Sequence, residues 1–321
     1  MDRRKRESRH GPGRGLSPRS GLSLNRARAH RLVVLLVALA GVAQALGPVG
    51  RPVPARAQTG CGASLGAVQR TPGGLPNDSA EASGVVSSPR YPGVAWMIRD
   101  SGHPASLYAL WFGPDGVADA REIPVDGATN HDWEDITYTT AADGSGRLWV
   151  VESGQGGGGG RVVYEIVEPD PQTATSVRPV ARYSYAYPDR SANTEAAFTW
   201  DNHLVLVSKN FPAHVYLFDQ LSPTGTNKPR YVGDLSDANG ISVAKPSPDG
   251  RWLVTATHDT VSLYRNAGQP GTLEGFLNRE PFHMIVAAPD DNVEAGDFYP
   301  AGECQLLLVS ETRNTYRLSS E

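Results

Sequence analysis

The runs "DWEDITYTT" (Asp132–Thr140), "RLWVVESG" (Arg147–Gly154) and "VVYEI" (Val162–Ile166) follow one another closely. Each is rich in β-branched and aromatic residues and is bounded by Gly, Ser or Asp, the pattern of successive strands joined by tight turns. No helical apolar period of 3.6 residues interrupts them. The same unit recurs four more times. Upstream it reads "AEASGVVSS" (80–88), "VAWMIRDSG" (94–102) and "SLYAL" (106–110). Downstream it reads "NTEAAFTWD" (193–201), "HLVLVSKN" (203–210), "HVYLF" (214–218); then "DANGISVAK" (237–245), "RWLVTATHD" (251–259), "VSLYR" (261–265). The last copy is "NVEAGDFYP" (292–300), "CQLLLVSET" (304–312), "NTYRL" (314–318). A further extended piece, such as "AREIPVDG" (120–127) or "VARYSYAYP" (180–188), follows each of the first four. Four strands per repeat in an all-β chain predict a β-propeller of five four-stranded blades, with six as the alternative.

The fifth unit ends without its fourth strand, whereas "LGAVQRTP" (65–72) precedes the first unit unclaimed. This N-terminal strand is expected to join the last blade and close the ring. Cys61 lies beside that strand and Cys304 within the fifth unit, and these are the two cysteines of the chain. An even pair in an exported protein predicts a disulfide that staples the closure.

Aligning the five repeat starts puts Glu81, Glu134, Glu195, Asn239 and Glu294 at one position. Innermost strands of a propeller line its channel, so these side chains are expected to meet in a ring. Carboxylates held close raise one another's pKa unless a cation, a backbone N–H or a proton relieves them. Two readings of the ring stand. It holds a divalent cation, Ca2+ being suited to an all-oxygen set with an amide, or its glutamates accept amide hydrogen bonds that keep blades in register. His131 and Asp132 beside Glu134, and Lys209 in "VSKN", are further candidates for ligand binding. Asp135 belongs with them, although strand alternation turns it away from Glu134 and toward a turn or the next blade.

The N-terminus reads differently. Residues 1–57 are arginine-rich, then apolar over Leu32–Leu46, then small in an A-x-A frame, which is the order of a secretory signal with a long basic region. The apolar run falls short of the ~20 residues of a membrane span, so cleavage after Ala57 is expected, with an uncleaved anchor as the alternative. The propeller domain then covers residues 58–321. Removing 1–57 takes away 12 of 30 basic and 2 of 34 acidic residues, leaving 18 against 32, a formal charge of −14. So acidic a domain repels phosphate backbones, which argues against a nucleic-acid partner, and it offers nothing for stable membrane insertion. An extracellular partner or small molecule at the channel mouth is expected instead.

"DSG" before "SLYAL", "DWEDI", "TEAAF" with "VSK", "SPDGR" and the closing "LLLVSE" with "YRL" resemble secreted actinobacterial β-propeller proteins carrying a D-W-E-D motif. Those relatives tend to carry "DIGDN" where this chain has "VESGQGGGGG", so Glu152 stands for the first acid and the Asp-Asn pair is missing. A looser similarity runs to gluconolactonase-like and phytase-like propellers. It implies carboxylate and Asn ligands around a metal that polarises a substrate oxygen or activates water. Two functions follow: a secreted ligand- or partner-binding module with an acidic mouth, or a metal-dependent hydrolase of an ester, lactone or phosphoester.

Other chemistry is sparse. Neither G-x-S-x-G nor H-E-x-x-H occurs. "SVAK" (242–245) matches S-x-x-K, but a strand points residues three apart to opposite faces. His103, His131, His203, His214, His258 and His283 stand singly, without ligand spacing. The glycine run 156–160 lacks the G-K-[ST] and helix of a phosphate loop. Trp96, Trp149 and Trp252 occupy matching strand positions and read as packing between blades.

Overall fold

The sheets of a propeller are each sandwiched between two others, which is why both faces of these strands are apolar. The computed structural model describes residues 61, 64–76, 80–153, 160–188, 193–236, 240–258, 260–267, 272–287 and 291–319. The expected signal (1–57), Asn239 and Gly156–Gly159 lie outside them.

Five antiparallel four-stranded sheets follow in chain order. Blade 1 comprises β2 (Ala82–Ser87), β3 (Val94–Arg99), β4 (Ser106–Gly113) and β5 (Gly116–Pro124). Blade 2 comprises β6 (Trp133–Thr140), β7 (Gly146–Glu152), β8 (Val162–Val167) and β9 (Pro179–Ser184). Blade 3 comprises β10 (Thr194–Trp200), β11 (His203–Ser208), β12 (Ala213–Leu217) and β13 (Arg230–Leu235). Blade 4 comprises β14 (Val243–Pro246), β15 (Trp252–Ala256), β16 (Thr260–Arg265) and β17 (His283–Val286). Blade 5 comprises β18 (Val293–Phe298), β19 (Gln305–Ser310), β20 (Thr315–Ser319) and, as its outer strand, β1 (Gln69–Arg70) from the other end of the chain.

That outer strand is the expected closure. Gln69 pairs with Arg317 and Arg70 with Tyr316. Cys61 and Cys304 form a disulfide across a sequence separation of 243 residues. Trp252 Nε1 donates to Cys61 O at 3.2 Å, so the N-terminal segment is anchored on blade 4 as well.

Successive residues of a strand serve opposite interfaces. Trp96 and Ile98 pack with Trp133, Ile136 and Leu148 between blades 1 and 2. Ala95 and Met97, alternating with them, pack with Leu307 and Val309 between blades 5 and 1. Equivalent cores fill the other three interfaces. Trp96 and Trp252 are buried in these cores, as their positions imply. The inner strands β2, β6, β10, β14 and β18 contact one another in turn around the ring. They come so close that a Cβ at Gly84 would stand 2.7 Å from Asp135 Cα. Among the described residues no helix is long and apolar enough to cross a membrane.

Candidate functional site

Four inner strands begin with the same irregularity. Their register slips between Ala82 and Gly84, Trp133 and Asp135, Thr194 and Ala196, and Val293 and Ala295. The bulged residues are therefore Ser83, Glu134, Glu195 and Glu294. A bulge re-aims the extra side chain out of the pleat, here toward the mouth of the channel. Blade 4 supplies Ser242, just before β14, whose Oγ donates to Val293 O at 2.6 Å. Ser83 Oγ makes the matching contact to Trp133 O, also at 2.6 Å.

This corrects the sequence alignment at Glu81. That residue lies two positions before the bulge, at φ 62°, with its carboxylate exposed and paired with His103. The dipeptide Glu81-Ala82 imitates the Glu-Ala of blades 3 and 5, but the fold places Ser83 where their glutamates stand. Glu134, Glu195 and Glu294 do converge. With Asp100, Asp132, Asn193, Lys209 and Glu311 they line one cavity of about 350 Å³.

A second tier comes from the ends of the second strands. Asp100, Ser153, Lys209, His258 and Glu311 each follow the last residues of such a strand, one per blade. Among these, sequence reasoning singled out Lys209 alone. The other four were legible in the same aligned segments, "IRDSG", "VESG", "TATHD" and "VSET", had the position after each strand been read as a set.

The two tiers pair up. Lys209 Nζ lies 3.2 Å from Glu195 Oε2, and Asn193 Nδ2 donates to Glu195 Oε1. His258 Nε2 stands 2.7 Å from Glu294 Oε1. The Ser153 hydroxyl sits between Asp132 Oδ2 and Glu134 Oε1, 2.9 Å from the latter. Asn292 Nδ2 donates to Glu311 Oε2 at 3.0 Å. Locally, Asn130 locks the "NHDW" turn. Its Nδ2 donates to Arg99 O and Asp100 O of blade 1, and its Oδ1 accepts the Trp133 amide at 3.0 Å.

Six carboxyls facing one ammonium leave the cavity short of positive charge. Burial, then repulsion from Glu195, Asp132 and Asp100, holds Glu134 well above the usual carboxylate range. Burial also raises Glu195, with Lys209 opposing. Burial pushes Glu294 up to about 7 against the pull of Lys209 and His258. Asp100 rises through burial and the neighbouring acids. Burial favours neutral Lys209, yet Glu195 and Glu294 hold its pKa above that of a free lysine.

Besides Glu81, two candidates stand outside the cavity. His131 is half-exposed, and its backbone N–H donates to Glu152 Oε2 at 3.0 Å. Asp135 lies beneath the cavity floor, buried, and accepts the Ala197 amide of blade 3 at 2.6 Å. Lys245 reaches across from blade 4 to Asp135 Oδ2 at 2.9 Å and Oδ1 at 3.1 Å, and to the Ile136 and Ala197 carbonyls. "SVAK" therefore contributes an interblade serine and a channel plug.

An all-oxygen donor set suits a hard cation such as Ca2+. Its spacing does not suit direct ligation: among the described residues no three carboxylates or histidines converge closely enough to hold an ion.

No family profile and no curated protein sequence matches the chain. Solved structures match it in fold. Glutaminyl cyclase from Myxococcus xanthus aligns over 79% of this chain and 95% of its own at 12% identity, with a TM-score of 0.49. A protein described as a gluconolactonase aligns over 80% of this chain and 92% of its own at 16% identity and a TM-score of 0.42. The WD40 propeller domain of Doa1 covers 79% and 97% at 12% identity and a TM-score of 0.39. These likenesses concern the propeller architecture and carry nothing about chemistry.

Proposed function

We propose that the protein is an exported binding module whose acidic mouth takes a ligand bearing positive charge, a divalent cation with its water shell being the first candidate. One observation carries this reading. Glu134, Glu195 and Glu294, from three blades, share a cavity with Asp100, Asp132 and Glu311, and among the described residues Lys209 is the one lysine or arginine lining it. A cation entering there relieves both desolvation and mutual repulsion. The carboxylates do not converge at ligating distance, so water-mediated contact fits better than a dry cage. A disulfide is compatible with export, and the D-W-E-D resemblance favours a secreted relative.

Elemental analysis of the purified protein, before and after chelation, tests the cation. Stoichiometric calcium that returns on titration supports the reading. Protein that carries no divalent metal and binds none at millimolar concentration removes it.

One feature favours the hydrolase as a second reading. Glu294, which lines the cavity and which burial pushes up to about 7, supplies a proton carrier suited to neutral pH, and His258 Nε2 stands 2.7 Å from it. Turnover of simple esters, lactones or phosphoesters, lost in Glu294→Gln, would support it. Inertness toward all three classes leaves the binding module.

A further inference from the structure

Lys245, with its side chain 3% exposed, spans from blade 4 to blades 2 and 3, between the starts of the inner strands, which carry the acidic cavity, and their far ends. At those far ends lies a separate cup of about 260 Å³, which reaches Val86, Thr137, Phe198, Lys245 and Asp297, one residue from each inner strand. Pro89, Pro246 and Pro248 line it, with Tyr138 and Phe298. Its chemistry differs from that of the acidic mouth. Its wall is mostly apolar and aromatic, and one partly exposed carboxylate, Asp297, stands in it.

The charges in this cup are unequally engaged. Lys245 has three N–H donors, and four acceptors surround them: both Asp135 oxygens and the Ile136 and Ala197 carbonyls. It has no donor left for an anion. Asp297 Oδ2 accepts the Ser87 amide at 2.6 Å. Among the described residues no lysine, arginine or histidine forms an ion pair with Asp297, whereas Lys245 pairs with Asp135. With all three ionised, Lys245, Asp135 and Asp297 leave one unit of negative charge at the residue that faces the cup; burial raises the pKa of Asp297, with Lys245 and the Ser87 amide opposing. Aromatic faces add attraction for a cation, and prolines, with φ fixed, keep the wall rigid. The volume lies below the ~300–1,000 Å³ of drug-sized sites, so the occupant is small.

We infer that this cup is a second binding site, independent of the acidic mouth, for a small ligand with a primary ammonium group on an apolar or aromatic body. The ammonium pairs with Asp297, and the body lies against Tyr138, Phe298 and the prolines. Anions are refused because Lys245 is saturated, and a hydrated metal ion is disfavoured because Asp297 is the one carboxylate among the described lining residues and the Ser87, Thr199 and Tyr138 hydroxyls donate within the protein.

Calorimetric titration of the full chain with benzylamine tests the site, benzyl alcohol serving as the uncharged counterpart. Benzylamine is expected to bind saturably in the millimolar range or tighter, and benzyl alcohol about tenfold or more weaker, because a charge-assisted contact is lost. Asp297→Asn should weaken benzylamine by a similar factor. Glu134→Gln with Glu195→Gln, on the other side of the plug, should leave its affinity within about twofold, additivity being the rule for sites without shared partners. If Asp297→Asn does not fold, Ala301→Phe, which fills the cup from its loop, replaces it and should abolish binding. Equal affinity for amine and alcohol, or unchanged binding in Asp297→Asn, overturns the proposal. Loss of benzylamine in the Glu134 and Glu195 double variant would place the amine at the acidic mouth and overturn it too.

Discussion

Replacing Lys245 by Met isolates the plug, since methionine keeps most of the apolar stem and removes the charge. In the native protein the ammonium is buried and makes contacts of 2.8–3.1 Å to four acceptors on two other blades. Its removal leaves Asp135 buried, with the Ile136 and Ala197 amides as its remaining donors. Breaking a buried pair from one side costs about 3–5 kcal/mol. Burial already pushes Asp135 up to about 6 with Lys245 opposing it, so losing the lysine drives it higher. A carboxyl whose folded pKa exceeds its unfolded value stabilises the fold at low pH, and that stability is lost as pH rises through the folded pKa. The penalty of Lys245→Met should therefore grow between pH 5 and pH 8, by up to about 1.4 kcal/mol per pH unit. Urea unfolding at both pH values measures it. Asp135→Asn added to Lys245→Met should recover at least about 1.5 kcal/mol at pH 8, because the unpaired charge is gone. A Lys245→Met variant within about 0.5 kcal/mol of wild type, or one whose deficit ignores pH, would refute the argument.

Other outcomes follow from the same contacts. Reduction of Cys61–Cys304, which closes a loop spanning 243 residues, should cost up to about 5 kcal/mol and lower the melting temperature. Gly84→Ala should destabilise by about 1–3 kcal/mol in urea titrations, because its Cβ meets the inner strand of blade 2 at 2.7 Å. Burial pushes Glu294 from the usual glutamate value of 4.5 up to about 7, so its contribution to stability should fade as pH rises from 4.5 through 7. Glu294→Gln should flatten that part of the stability profile, and an unaltered profile would count against the burial argument.

The propeller was legible because each blade repeats one strand grammar, and because a closing strand and two cysteines were left over at opposite ends. Glu134, Glu195 and Glu294 were legible because each stands at the same place in its repeat. Glu81 misled because a bulge has no spelling of its own: the Glu-Ala pair looked aligned while the register turned on Ser83. Lys245 was hidden for another reason. Its partner Asp135 is 110 residues away, and only ring closure brings them together. Glu168 shows the converse. It is as buried as any acid at the mouth, yet Ser88, Trp96 and Tyr138 satisfy it and it serves the fold alone. Burial of an acid does not mark a site; convergence with other acids across blades does.

That convergence is tested most directly by titrating calcium calorimetrically into wild type and into the Glu134→Gln and Glu195→Gln variants at neutral pH. The account predicts saturable binding to wild type, with proton release from the raised carboxyls, and at least about tenfold weaker binding to each variant. Wild type without saturable binding, or variants that bind as well as wild type, would contradict it.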